Sequence, residues 1–301
     1  MLKGTKALLT NRDLFNRSVK RFSDVAKLNY LSYVENPTAP NLVVLHGLMG
    51  NSMNFRSIVT HNELKGLCNS YVFDLRNHGK SEHKPTMSYE EMAADIDAAT
   101  SELGLDKFYL LGHSLGGKVA MVYSRLYAER LKGLIVCDIG PFNYNDTTKF
   151  KSSSEIRALL QACAKINLTG TTREKLKVEL ENAANGKKDI SGLLLTNIEQ
   201  ITNGNYKWRV NLEAIINFYG QIMDPFSHSS KKYNGPVKVI AGGKSEYVPK
   251  DRLSEYNTIF ENFDIQRDVT YIEPASHWVH FTHPEEFVKE VSAFIKQHEH
   301  R

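Results

Sequence analysis

Five short apolar runs, each cut off by a glycine, histidine or aspartate, restrict this chain to one kind of architecture. Leu42-Val43-Val44-Leu45 stops at His46-Gly47, and Tyr71-Val72-Phe73 stops at Asp74. Phe108-Tyr109-Leu110-Leu111 stops at Gly112, Leu134-Ile135-Val136-Cys137 at Asp138, and Val237-Lys238-Val239-Ile240-Ala241 at Gly242. Runs this short, rich in β-branched and aromatic residues, read as strands buried on both faces. Helical patterns lie between them. Ser88-Tyr89-Glu90-Glu91 is a capping box ahead of Met92, Ile96 and Ala99 on one stripe. Residues 116–129 form a glycine-started, mostly apolar helix, and residues 284–297 begin at Pro284 and carry Phe287, Val291 and Phe294. Such alternation predicts an α/β fold with a mostly parallel, doubly wound sheet. In that sheet the polar strand ends gather at the carboxyl edge, where chemistry collects.

Residues 142–232 break the alternation. Ile156, Leu159, Leu160 and Cys163 follow helical spacing, and Thr171-Thr172-Arg173-Glu174 reads as a capping box ahead of Leu176, Leu180 and Ala183. Ile190, Leu193, Leu194 and Ile198 mark a third helix, and Leu212, Ile215, Ile216 and Tyr219 a fourth. A segment this long with its own apolar faces reads as a helical cap over the strand ends. It splits the catalytic core into residues 23–141 and 233–301.

Residues 1–22 stand apart. They hold Lys3, Lys6, Arg12, Arg17, Lys20 and Arg21 against Asp13 alone, with leucines at roughly helical spacing. A basic, acid-poor, amphipathic start reads as an organelle transit segment, and Arg21-Phe22-Ser23 resembles a matrix-processing cleavage site. This segment accounts for the formal charge of +4, and the rest of the chain is close to neutral. The basic excess therefore does not point to nucleic acid. No run approaches the eighteen or so apolar residues of a membrane span. Cys68, Cys137 and Cys163 are scattered and form no CxxC, which suits a reducing compartment.

The sharpest chemical signal is Gly112-His113-Ser114-Leu115-Gly116, a G-x-S-x-G directly after one predicted strand and directly before a predicted helix. That is the context of a nucleophile elbow, with Ser114 at its tip. A serine needs a base. His277 follows the apolar run Val269–Ile272 and is the candidate; His280 and His283 read as helix-start or surface histidines. No HExxH or cysteine cluster accompanies them, so no metal is expected. Two acids compete to orient His277: Asp138 at the end of the strand before the cap, and Glu246 beside Ser245, where a G-x-x-D pattern would put an aspartate. Asp138 is favoured, because neighbouring strands are only about 4.8 Å apart. His46-Gly47-Leu48-Met49-Gly50 also follows a strand. The backbone N–H groups of Leu48 and Leu115 are the candidate oxyanion donors. His46 reads as a brace for this loop, and Asp74–Ser81 as a structural loop beside it.

These motifs in this order, HG-x-x-G, D-x-R-x-x-G-x-S, G-x-S-x-G and a late histidine, resemble the α/β-hydrolase superfamily. Asp74–Gly79, Gly112–Lys118, Asp138–Pro141 and Trp208–Leu212 resemble its branch around α/β-hydrolase domain-containing protein 11, the bacterial esterases and the yeast ethanol acetyltransferases. Two positions depart from that branch: Ser276 and Gly140, where glycine and serine are common. The resemblance implies the α/β-hydrolase fold with an inserted cap, an acid at Asp138, and a mitochondrial address, with the cytoplasm as the alternative. It implies a serine hydrolase of carboxylic esters or thioesters that needs no cofactor or metal. The expected partner is a small-molecule ester or thioester; nothing marks an oligomeric state. An alcohol acyltransferase using the same three residues is the alternative, ahead of a non-catalytic ligand receptor.

Overall fold

In the computed structural model, which describes residues 24–224 and 231–299, the apolar runs become the middle of one sheet. Its strands are β1 (Tyr30–Tyr33), β2 (Asn41–Leu45), β3 (Asn69–Phe73), β4 (Phe108–His113) and β5 (Leu131–Cys137), then β8 (Val237–Gly242) and β9 (Val269–Ile272). β6 (Ile198–Thr202) and β7 (Asn205–Trp208) form a separate hairpin. The order across the sheet is β1-β3-β2-β4-β5-β8-β9, and every neighbouring pair is parallel except β1 with β3. β4 is buried along its whole length. The edge strand β1 alternates exposed and half-buried residues, so it left no apolar run to detect.

The chain leaves β2 in one direction to build β3, then crosses back to β4 and continues the other way. The switch point therefore lies between the carboxyl ends of β2 and β4, where an open α/β sheet leaves a crevice. The His46-Gly47 loop and Ser114 both start there. Period-two alternation feeds two cores. Val43 and Leu45 join one apolar cluster and Leu42 and Val44 the other. Helices α1 (Tyr89–Glu102) and α2 (Leu115–Leu126) pack on the first face. α1 starts at the capping box expected: Ser88 accepts from the Glu91 N–H and Glu91 returns a bond to the Ser88 backbone.

The insertion contains α3 (Lys151–Cys163), α4 (Arg173–Ala183), α5 (Lys188–Thr196), the hairpin and α6 (Leu212–Met223). The hairpin was not anticipated. Ile198, which spacing placed on the third helix, is its first strand residue and pairs with Trp208. The turn residue Gly204 has φ +76°, a conformation that glycine adopts at no steric cost. The α4 cap also shifts by one residue. Thr171 donates its N–H to Gly204 O of the hairpin turn, and Thr172 accepts from the Lys175 N–H instead. Asn211 ties the insertion to the core, donating its N–H to Asn77 O at 2.9 Å while its side chain caps α6. α7 (Pro284–Glu299) covers the second face through Phe287, Val291 and Phe294. The leader read over residues 1–22 lies outside the described residues. Among those described, no helix is long and apolar enough to cross a membrane.

Candidate active site

Ser114 sits between β4 and α2 with φ 53° and ψ −117°, a backbone conformation rarely adopted by a residue with a side chain. Such strain persists only where the surroundings over-determine it. Here they do. Ser114 donates its N–H to Cys137 O at 3.1 Å, and Gly116 donates to His46 O at 3.1 Å. A Cβ on Gly112 would lie 2.2 Å from Gly116 O, and one on Gly116 would lie 2.5 Å from Leu45 O. Only glycines let the turn close this tightly. Ser114 then lines a cavity of about 320 Å³ together with His277 and Trp278.

Asp138 and His277 come together from two other strand ends. Asp138 follows β5, has φ 49° and is fully buried. One carboxylate oxygen, Oδ1, accepts from Gly242 N–H at 2.8 Å. The other, Oδ2, accepts from Ser245 Oγ at 2.5 Å and from His277 Nδ1 at 2.6 Å. With Nδ1 carrying its proton toward Asp138, His277 Nε2 holds a lone pair and can accept a proton. The Tyr247 ring stacks on the imidazole with 4.1 Å between centroids. Glu246 turns elsewhere: it accepts from Ser152 N–H at the start of α3. Ser245 stands where the aspartate of the alternative pattern would stand and donates to Asp138. Sequence reasoning marked Ser245 as a missing acid and did not see this role. Gly140, the second departure, has the Phe142 ring 2.3 Å from where a Cβ would be, so a serine would not fit without rearrangement.

The loop His46–Gly50 is held from below. Gly50 donates to Gly47 O at 2.9 Å, closing a turn in which Met49 has φ 60°. His46 donates Nδ1–H to Gly47 O at 2.8 Å and accepts Leu75 N–H on Nε2 at 3.0 Å. His78 accepts Met49 N–H on Nε2 at 3.2 Å and donates Nδ1–H to Arg76 O at 2.9 Å. His46 is therefore a brace, and His78 is a second one. A Cβ on Gly47 would lie 3.2 Å from Ser114 Cβ, so the loop passes directly over Ser114. Leu48, Ser114 and Leu115 share the wall of a small inner cavity. Leu115 opens α2, so its N–H belongs to the helix start, which has no intrahelical acceptor for it. The neighbouring loop is tied by two separate acids. Asp74 accepts from Ser52 N–H at 2.6 Å, Lys80 N–H at 2.9 Å and Asn29 Nδ2 at 2.8 Å. The main partner of Arg76 is Asp95 on α1, at 2.5 and 2.7 Å through Nε and Nη2, with both side chains 1% exposed, and Glu91 of the same helix lies 3.4 Å from Nη1.

Of the two readings expected for His280, helix-start or surface, the first holds: it lies in the first turn of a short helix and not at the surface. It is buried and stacks on Phe55 with 4.4 Å between centroids, because the short helix Val279–Thr282 tucks it inward behind His277. His283 is half-buried beside Thr282. His113, Cys137 and His280 bring one potential ligand atom each to within 4.8 Å of one another in this interior. His113 donates Nε2–H to His277 O at 2.9 Å. Burial pushes the pKa of His46, His78, His113 and His280 down from the usual histidine range, to about 3 for His78 and His280. Native chains hold these rings neutral, whereas the unfolded chain protonates them near the ordinary value of about 6.5. Below that pH the unfolded state takes up protons that the native state refuses. Stability is therefore complete above about pH 6.5 and lost as pH falls toward 3, by up to about 1.4 kcal/mol per pH unit per histidine. Urea midpoints at pH 7.5 and pH 5 check this; equal midpoints would refute it.

A family profile described as alpha/beta hydrolase fold matches residues 40–284. The chain is 33% identical over 255 residues to the sn-1-specific diacylglycerol lipase ABHD11 of Danio rerio, covering 85% of this chain and 78% of that protein. It is 29% identical over 285 residues to a probable alcohol acetyltransferase of Saccharomyces cerevisiae, covering 88% and 80%. Among solved structures, a marine microorganism esterase matches with a TM-score of 0.81 and 30% identity, over 89% of this chain and 99% of that one. The sheet order, the serine elbow at its switch point and these likenesses agree: the chain belongs to the α/β-hydrolase fold family.

Proposed function

We propose that this protein is a serine hydrolase of carboxylic esters or thioesters. The observation that carries the reading is the 2.6 Å contact between buried Asp138 and His277, in a cavity that also exposes the strained Ser114. Ser114 Oγ attacks the acyl carbon while His277 Nε2 takes the hydroxyl proton. The tetrahedral oxygen receives hydrogen bonds from Leu48 and Leu115 N–H. As the bond to the leaving oxygen or sulfur breaks, His277 returns the proton to it. A water then gives one proton to His277, and its oxygen adds to the acyl carbon. Collapse releases the acid and restores Ser114 with that proton. Asp138 stabilises the imidazolium at both stages.

The relatives support this reading in kind, since those named above act as a lipase or form or cleave esters. The larger cavity fits an apolar substrate portion, with Ile156, Leu159, Leu160, Leu193 and Leu194 of the insertion in its wall. The test is covalent labelling by a fluorophosphonate together with turnover of p-nitrophenyl acetate, both dependent on Ser114. A second reading has the acyl-enzyme surrender its acyl group to an alcohol. The yeast relative favours keeping it, and product analysis with acyl-CoA and ethanol distinguishes ester from free acid. We further propose that residues 1–22 are a mitochondrial address. A reporter fused to them is expected in mitochondria, and a cytoplasmic reporter refutes it.

A further inference from the structure

Two cavities meet at Ser114. Leu48, Ser114, Ile156 and Tyr247 line both. His277 and Trp278 line only the larger, of about 320 Å³. Leu115, an oxyanion donor in the reading above, lines only the smaller, of about 40 Å³. The chemistry assigns the two. The leaving oxygen or sulfur takes its proton from His277, so the leaving group has to lie on the His277 side. The carbonyl oxygen points to Leu48 and Leu115, and the remaining substituent of the acyl carbon, its alkyl chain, is left for the smaller chamber. That chamber is otherwise lined by Tyr89, Lys118, Ile139, Tyr144, Ile222 and Met223.

We propose that the small chamber is the acyl site and restricts this enzyme to short acyl groups, acetyl to butyryl, on bulky apolar leaving groups. The proposal rests on Ser114 being the nucleophile. A volume of about 40 Å³ admits on the order of three water-sized groups, by the space that one buried water needs. The end wall resists expansion because its polar tips are tied to backbone. The Tyr89 hydroxyl donates to Ile222 O, and the Lys118 ammonium donates to Asp224 O at 2.7 Å while lying 4.8 Å above the Tyr144 ring. A longer chain would have to displace this ring and ammonium, leaving their buried polar groups unpaired. Ile222 and Met223, at the end of α6, are the apolar groups that set the depth.

The test is kcat/KM of the full chain on p-nitrophenyl acetate, butyrate, octanoate and palmitate, beside acetates of ethanol, octanol and 1-naphthol. The expected result is a fall of at least about tenfold from butyrate to octanoate, with octyl and naphthyl acetate turned over at least as well as ethyl acetate. Ile222→Ala and, independently, Met223→Ala are expected to raise the octanoate-to-acetate ratio several-fold. Octanoate turned over as well as acetate by the unmodified enzyme overturns the proposal while leaving the serine-hydrolase reading in place. So does a change in leaving-group preference, rather than chain length, in the two variants. Turnover of every ester that survives Ser114→Ala overturns the proposal and the reading beneath it.

Discussion

Replacing Ser114 by alanine is expected to lower kcat for p-nitrophenyl acetate by about five to six orders of magnitude, as loss of the nucleophile does in serine hydrolases of unrelated fold. What remains is the smaller acceleration from the oxyanion donors and binding alone. The loss should fall on kcat, because neither the cavity nor the glycine-walled turn depends on the hydroxyl. The space above Ser114 that Gly47 leaves free is bounded by the Ser114 Cβ, which alanine keeps. Ser114→Gly sharpens the test. At φ 53° and ψ −117° a glycine relieves strain of about 1–3 kcal/mol, so this variant should be as inactive as the alanine one yet more stable. Activity and stability then move in opposite directions, which a folding defect cannot produce. Adding His277→Ala to Ser114→Ala should cost little more, since the two act as one unit. Retained turnover or fluorophosphonate labelling in Ser114→Ala would assign the chemistry to another residue.

Much of the fold was legible because the relevant signals are local. Strands buried on both faces leave apolar runs, and β2, β3, β4, β5 and β8 were read from them alone. The elbow was legible for the same reason: strand, tight turn and helix follow one another within ten residues. What stayed hidden depends on partners distant in sequence. β1 exposes half its residues at the sheet edge, so its pattern resembles a loop. The hairpin β6–β7 begins at Ile198, whose spacing from Leu194 also satisfies a helix, and only its pairing with Trp208 decides. Arg76 finds Asp95 on α1 rather than the nearer Asp74. His280 turns inward because of Phe55, far away in the chain. At the site, the residue types and their order could be read, while the support could not. The bond from Ser245 to Asp138 joins the ends of two strands separated by the whole insertion, and no spacing rule contains it.

The choice between Asp138 and Glu246 yields the second large effect, and the bonds around Asp138 dictate its form. Oδ2 accepts two hydrogens, from Ser245 and His277, and Oδ1 accepts one from Gly242. The Gly242 N–H can only donate, whereas the Ser245 hydroxyl and His277 Nδ1 can each turn acceptor toward an NH2 at the Oδ2 position. An asparagine keeps the shape but must place an NH2 at one of these positions. Turned toward His277, the amide donates to Nδ1, which forces the ring proton onto Nε2 and removes the base. Turned the other way, it sets two donors against each other at Gly242, at a cost of about 1–3 kcal/mol for the unsatisfied buried group. The first arrangement avoids that clash at Gly242, so Asp138→Asn is expected to lower kcat about 10⁴-fold with KM little changed. Glu246→Gln retains an acceptor for Ser152 N–H on an exposed side chain, and its kcat should stay within about twofold of the unmodified enzyme. Ser245→Ala belongs between them: it removes one donor from Asp138 and leaves the His277 bond intact. A loss confined to Glu246→Gln would move the acid to β8. A loss confined to Asp138→Asn, graded through Ser245→Ala, can come only from an acid that reaches the imidazole from the end of β5.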